Sequence, residues 1–294
     1  MRVLLTGSSG QLGKELIKIK PNGYNLITTN RSLLDLSNPS SCYDYIQEIK
    51  PDWLINCGAY TNVDNAESNK NEAYSINSLS VKYLAESIKE INSKFIQIST
   101  DYVFNGKKDI PYLPEDTKSP INVYGETKSI GEDFMKVIFK DNCNGIIIRT
   151  SWLMGTTEGN FALKMLSLLS TNKKVNVIND QIGSPTTTLT LAKACWETIN
   201  VSSKGKTIPS ILHFANAGEA SWFDIAVEIE TIAKDLGLLN KPTIINPIAS
   251  SEYQSAAKRP NYSVLDCKSS FESISMKNMH WRRAIKLLLI EYKR

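Results

Sequence analysis

Apolar residues in the first half of the chain gather in short runs, separated by longer stretches where they recur every three or four positions. The runs "RVLLT" (2–6), "YNLITT" (24–29), "WLINC" (53–57), "KFIQIS" (94–99) and "GIIIRT" (145–150) have the length and make-up of buried strands. Between them, Gln11–Lys20, Pro39–Lys50, Asn71–Asn92 and Tyr124–Phe139 read as helices. In the third of these, Leu79, Tyr83, Leu84, Ile88 and Ile91 share one face. Strands that alternate with helices pair in parallel through right-handed crossovers. The pattern predicts an α/β fold: a Rossmann-type doubly wound parallel sheet, with residues 1–150 as its dinucleotide-binding domain.

Beyond Thr150 the rhythm loosens. "VNVIND" (175–180) and "ILHFAN" (211–216) read as short strands, and Leu189–Ile199, Trp222–Leu236 and Trp281–Glu291 as helices, with Pro and Gly punctuating the rest. Residues 151–294 are expected to form mainly a smaller, irregular C-terminal substrate lobe, with some segments returning to the sheet.

Composition narrows the classes. The 294 residues are 41% apolar and 22% charged, enough for one large domain or two modest ones. A net charge of +4 with no basic stripe gives no indication of a nucleic-acid partner. The apolar run at the start stops at Thr6-Gly7, too short for a secretory signal or a membrane span, which predicts a cytoplasmic protein without a membrane partner. Five scattered Cys without a CxxC pair fit reduced thiols, and with only two His no metal site is assigned.

Candidate chemistry begins at "TGSSGQLG", where Gly7, Gly10 and Gly13 sit between the first strand and the first helix. Glycines there allow a tight turn and close approach of backbone to a diphosphate, met by amides at the helix N-terminus; Ser9, Gln11 and Leu12 complete the loop. At the end of the second strand, where a carboxylate would select NAD, the chain has Asn30 and Arg31. The forked donors of Arg31 suit a 2′-phosphate, so NADPH is expected and NADH stays open. Asp35 and Leu36 are placed to flank the adenine. Cys57, Gly58, Ala59, Tyr60 and Thr61 follow the third strand, where backbone would run beneath the cofactor.

In "NVYGETK", Tyr124 and Lys128 are spaced i, i+4 on a helix and share a face. An ammonium beside a phenol is expected to lower the phenol's pKa from about 10 toward neutrality. Such a pair donates and accepts protons at cellular pH. "STDYVFNG" puts Ser99 and Thr100 at a strand end, where a hydroxyl can bond the same substrate oxygen.

With "NCGAYTNVDNAE", "PINVYGETKSIGE", "IIRTSWL", "NFALKML", "INDQIGSPT" and "AKRPNYSVLD" in order, nearly the whole chain resembles the extended short-chain dehydrogenase/reductase family, and within it the dTDP-4-dehydrorhamnose reductases. The resemblance implies reduction of the 4-keto group of dTDP-4-dehydro-L-rhamnose to dTDP-L-rhamnose, a step in polysaccharide biosynthesis. By matching positions, Tyr124 would donate the proton, Lys128 would tune it and bind the nicotinamide ribose, and Thr100 would assist at the carbonyl. Ser99 would adjoin the cofactor. Asp101 and Trp152 fall where members touch the sugar, and Asn160, Gln181 and Arg259 are further substrate-binding candidates, Arg259 toward a diphosphate. Two positions depart from the pattern: Asn30 replaces a frequent acid and Met154 a frequent aromatic. Some members hold magnesium between two copies, but no ligand set matches here; a homodimer remains open.

Rival readings share the fold. A dehydratase needs Thr-Asp-Glu, and the chain reads Thr100-Asp101-Tyr102, without the Glu that elimination requires. An epimerase would keep its cofactor unchanged over a cycle, and a non-catalytic regulatory subunit would have no need of the Tyr–Lys pair that stands intact here.

Overall fold

Strand β1 (Arg2–Thr6) sends Val3 and Leu5 to one side of a sheet and Leu4 to the other, all fully buried. β3 (Trp53–Asn56), β4 (Lys94–Thr100) and β5 (Gly145–Thr150) divide their side chains between the same two cores. A strand covered on both faces has to be apolar nearly throughout, and for this reason these segments read as runs in the sequence. The computed structural model describes residues 1–157 and 159–294.

Six parallel strands form the central sheet in the order β2 (Asn25–Thr28), β1, β3, β4, β5 and a last strand, Ile211–His213. This last strand comes from the second half of the chain and returns to the sheet edge. On one face, Leu12 and Leu16 of helix Gln11–Lys18 pack with Leu191, Cys195 and Trp196 of helix Thr188–Ser203. On the other, Ile46 of helix Pro39–Ile49 meets Leu84 and Ile88 of helix Ser80–Glu90 and Met135 of helix Val123–Ile138. Strand order reverses between β1 and β3, so a crevice opens at their carboxyl ends.

The continuous helix expected over Asn71–Asn92 is not continuous. Helical turns at Lys70–Tyr74 lead into a π-helical segment, Ser75–Leu79, before the helix resumes at Ser80. The wider turn lets the Asn77 side chain leave the helix: it accepts from Tyr60 N at 2.9 Å and donates to Tyr60 O and Thr127 Oγ1, both at 3.1 Å.

The second lobe has its own core, in which Met165, Leu166 and Leu169 of helix Phe161–Thr171 meet Ile225 and Ile229 of helix Trp222–Asp235 and Ile285 and Leu289 of helix Trp281–Lys293. The helix at Phe161 and the strand Ile244–Ile248, which pairs in parallel with Lys174–Ile178, are elements that the periodicity did not reveal.

A buried ion pair ties the sheet to the helix Val123–Ile138. Arg149 of β5 contacts Glu132 through Nε–Oε1 at 2.9 Å and Nη2–Oε2 at 2.8 Å, both side chains wholly inaccessible. Ser99 donates to the same carboxylate at 2.6 Å, and Arg149 Nη1 reaches Pro114 O at 3.0 Å and His213 Nε2 at 3.2 Å. Burial opposes ionisation of Glu132, but Arg149, Lys118 and Ser99 outweigh it and hold the carboxyl below its ordinary range. Removing one member leaves the other charge buried and uncompensated, a loss of about 3–5 kcal/mol. Glu132→Gln is expected to lower the unfolding free energy by about that amount in urea titration.

Candidate active site

The crevice between β1 and β3 continues into a cleft of ≈ 500 Å³. Its floor begins at the glycine turn. Gly7 has φ +65°, and a Cβ there would sit 2.6 Å from Gly58 N, so both the conformation and the space call for glycine. A Cβ on Gly13 would fall within contact distance of the Gly7 carbonyl, which the first helical turn grazes. Backbone amides at the start of helix Gln11–Lys18 therefore open on a cradle with room for a phosphate and none for a side chain. Beneath the cleft, Thr6 donates to the Asn56 side chain, and Asn56 donates to Gln97 at 2.8 Å, linking three strands at their carboxyl ends.

The chemistry-bearing residues converge from two elements. β4 ends at Thr100, and Asp101 opens a single 3₁₀ turn, Asp101–Val103, whose N-terminus Thr100 caps by accepting from Tyr102 N at 3.1 Å. Helix Val123–Ile138 starts behind Asn122, whose side chain accepts from Gly125 N at 2.8 Å and donates to Lys258 O at 2.8 Å. Tyr124 and Lys128 on this helix face Thr100 and Asp101 across the same cleft.

The electrostatics differ from the sequence expectation. Tyr124 is not held near neutrality: burial pushes its phenol up to about 12, with the Thr100 hydroxyl pulling down and Asp101 pushing up. Lys128 donates to Ile98 O at 2.6 Å, and burial brings its own pKa down to about 8. The Asp101 carboxyl rises to about 7, chiefly by burial, against opposing contributions from Ser263, Thr100 and local backbone. Asp101 and Thr150 line the cleft, and the buried Asp101 Oδ2 and Thr150 Oγ1 have no hydrogen bond within 3.5 Å.

Of the residues singled out in the sequence, Gly7, Ser9, Gly10, Gln11, Leu12, Gly13, Cys57, Gly58, Ala59, Thr61, Ser99, Thr100, Asp101, Tyr124, Lys128 and Trp152 line this cleft. Others stand behind it or apart. Leu36 packs under Gly58, and Tyr60 is fixed through its backbone to Asn77. Asn30 accepts from Ser32 and Leu33 within its own turn, and the exposed Arg31 lies 3.4 Å from Glu72 and 3.7 Å from Asp35. Asn160 caps helix Phe161–Thr171 and donates to Gln11 Oε1 at 3.0 Å.

Gln181 and Arg259 line a second cavity of ≈ 240 Å³ in the lobe, with Trp222, Phe161, Tyr253 and Lys164. Arg259 is held by Asp64 at 2.6 and 3.2 Å, and Gln181 accepts from Trp222 Nε1 at 3.2 Å. Trp152, at φ +46°, stacks on Trp222 with ring centroids 3.7 Å apart, joining the lining of the cleft to that of the second cavity. Sequence reasoning assigned no site role to Trp222, Thr150, Ser151 or Asp64, although Thr150 and Ser151 stand in "IIRTSWL" and Asp64 in "NCGAYTNVDNAE".

A glycine cradle at a sheet's switch point, facing a strand-end threonine and a Tyr-x-x-x-Lys helix, defines the extended short-chain dehydrogenase/reductase class. Within that class, the chain belongs to the family of the RmlD substrate binding domain, whose model matches residues 1–294. It is 36% identical over 291 residues to the spore coat polysaccharide biosynthesis protein SpsK of Bacillus subtilis, covering 99% of this chain and 97% of that one. It is 36% identical over 288 residues to the dTDP-4-dehydrorhamnose reductase of Aggregatibacter actinomycetemcomitans, covering 97% of each. The structure of dTDP-4-dehydrorhamnose reductase from Bacillus anthracis in complex with NADP superposes with a TM-score of 0.88 at 34% identity, over 99% of both chains.

Because a methyl at position 13 would collide with the Gly7 carbonyl, Gly13→Ala is expected to weaken NADPH binding about tenfold or more, read by fluorescence titration, while the circular dichroism spectrum is retained.

Proposed function

We propose that this chain reduces the 4-keto group of dTDP-4-dehydro-L-rhamnose to give dTDP-L-rhamnose, using NADPH. The observation that carries the reading is the convergence of Tyr124, Thr100 and Lys128 with the glycine cradle in one cleft. Full-length relatives named for this reaction, and one of them solved with NADP, support the substrate and the cofactor.

The residues divide the work. Gly7, Gly10 and Gly13, with the first amides of helix Gln11–Lys18, hold the diphosphate of the cofactor. Arg31 reaches the 2′-phosphate by leaving Glu72 and Asp35, an exchange made easy because exposed ion pairs contribute only about 0–1 kcal/mol. Lys128, fixed on the Ile98 carbonyl, sits at the nicotinamide end and adds positive charge beside it. When bound, NADPH supplies the hydride that adds to sugar C4.

Tyr124 donates its proton to the oxygen that becomes the C4 hydroxyl. A phenol raised by burial stays protonated until that oxygen carries full negative charge, which matches the donor to the alkoxide rather than to the ketone. Thr100 directs its hydroxyl to the same oxygen and orients the carbonyl. Trp152 and Asp101 flank the sugar. The second cavity receives the nucleotide end, with Trp222 and Tyr253 for the base and Arg259 for the diphosphate. Tyr102 stands where a dehydratase needs Glu, and it has no basic group at working pH, since burial pushes its phenol well up. The reaction calls for NADPH and a nucleotide sugar together, as in the cytoplasm; no described helix is long and apolar enough to cross a membrane.

The test is oxidation of NADPH on adding dTDP-4-dehydro-L-rhamnose. Tyr124→Phe is expected to lower kcat by about 10²–10⁴-fold with NADPH affinity unchanged. Equal rates for the two proteins, or no turnover by a folded, NADPH-binding wild type, would overturn the reading.

A further inference from the structure

The end of β2 decides how the adenosine ribose of a dinucleotide is met: an acid there bonds free hydroxyls, and an arginine nearby takes a 2′-phosphate. In this chain the strand end offers no free acceptor of its own. Asn30 Oδ1 accepts from Ser32 N at 3.1 Å, Ser32 Oγ at 2.6 Å and Leu33 N at 3.2 Å, which leaves the side-chain amide as a donor. Carboxylates reach Arg31 instead from two other places. Its Nη2 donates to Glu72 Oε1 at 3.4 Å, and its Nε lies 3.7 Å from Asp35 Oδ1. Asp35 is already engaged, since the same oxygen accepts from Ser37 N at 2.9 Å. Among the described residues, Arg31 is the only donor to the Glu72 carboxylate.

Glu72 stands 41 positions beyond Arg31, in the helical turns Lys70–Tyr74, and a specific contact brings it there. Ser75, where the π-helical segment begins, donates through Oγ to Ser37 O at 3.0 Å. The helix that carries Glu72 is thereby fixed against the loop that carries Arg31 and Asp35.

We propose that Glu72 sets the choice between NADPH and NADH by competing with the 2′-phosphate for Arg31. The inference rests on the reading that Arg31 meets that phosphate. NADPH has to draw the guanidinium away from Glu72 and brings a second negative group to the same place, whereas NADH leaves the ion pair as it is. Both consequences weaken the binding of NADPH and neither touches NADH, so the carboxylate narrows the preference that Arg31 alone would give. The Arg31 and Glu72 side chains are 71% and 42% exposed, so water and salt screen them and the effect is a modest factor.

Fluorescence titration of the full chain with NADPH and with NADH reads this without turnover. Glu72→Gln keeps the shape of the side chain and removes its charge. It should bind NADPH about three- to fivefold more tightly than wild type, and NADH within about 1.5-fold of wild type. The gain should shrink as NaCl rises from about 0.05 to about 0.5 M. Glu86→Gln removes the same charge from an exposed pair with Lys82 on helix Ser80–Glu90, and should leave both affinities unchanged. In an Arg31→Ala background, Glu72→Gln should no longer alter the NADPH-to-NADH ratio, which separates competition for Arg31 from direct repulsion of the phosphate. An unchanged ratio in Glu72→Gln, an equal gain for both dinucleotides, or a gain that persists undiminished without Arg31 overturns the proposal. A ratio unaffected by Arg31→Ala alone overturns instead the placement of Arg31 at the 2′-phosphate, and a folded wild type that binds neither dinucleotide overturns the cofactor reading.

Discussion

The Glu132–Arg149 pair is the contact on which the geometry of the cleft depends. It lies on the helix that carries Tyr124 and Lys128, one turn beyond Lys128, and joins that helix to β5. Ser99 binds the same carboxylate, which adds β4 and fixes the position of Thr100 next to it. Through Arg149 the pair extends to His213 in the edge strand and to Pro114 in the loop before the helix. His213 in turn meets Tyr112 O at 3.1 Å, and burial together with Arg149 drives its imidazole down to about 3, so it stays neutral and adds no competing charge. A salt bridge without water is an expensive way to hold two elements together, and apolar residues of the same volume are often as stable. What the ion pair adds is direction: a bidentate guanidinium fixes the rotation of the helix as well as its distance from the sheet.

The opposite end of that helix is held by separate hydrogen bonds without an ion pair. Asn122 caps it and reaches Lys258 in the lobe, and Glu67 accepts from Val123 N at 2.9 Å. The rigid end thus lies in the sheet domain and the adaptable end at the boundary with the lobe, where the second cavity opens. Chemistry and recognition meet at Trp152, a non-glycine residue in the left-handed region whose indole is trapped between Gly183 and Trp222. Backbone strain at a junction between cofactor cleft and lobe cavity is where a positioned side chain matters most.

Much of this is legible in the sequence, and what is not has physical causes. Strands covered on both faces have to be written as apolar runs, so the sheet through Thr150 reads clearly, and the glycine spacing follows from its place after the first of them. Tyr124 and Lys128 share a face by periodicity alone. Periodicity says nothing about depth, however, and depth decides charge: burial raises the phenol and turns the ammonium to a carbonyl, against the simple expectation for a Tyr–Lys pair. The helix Phe161–Thr171 escapes because apolar residues occupy most of its faces. The strand Ile244–Ile248 escapes because it is half-exposed and contains Pro247. Arg259 and Asp64 stand 195 positions apart, and only the folded chain pairs them. The π-helical turn at Ser75–Leu79 passes for ordinary helix, since one extra residue per turn disturbs a hydrophobic pattern too little to notice.

The approach of Gly7 to Gly58 limits how such a protein can diversify. A side chain at Gly7 would run into the Gly58 amide, and one at Gly58 into Leu36, so the three positions are locked together across strands β1 and β3 and the loop after β2. The Gly7 contact is with backbone, which no replacement of a neighbouring side chain relieves, whereas the Gly58 contact is with the end of the Leu36 side chain. The lobe cavity is under no such interlock; Tyr253 and Ser255 on its rim are exposed and free to vary one at a time. Descendants of this fold can therefore acquire new sugar and nucleotide preferences stepwise while the backbone-against-backbone contact at Gly7 stays fixed.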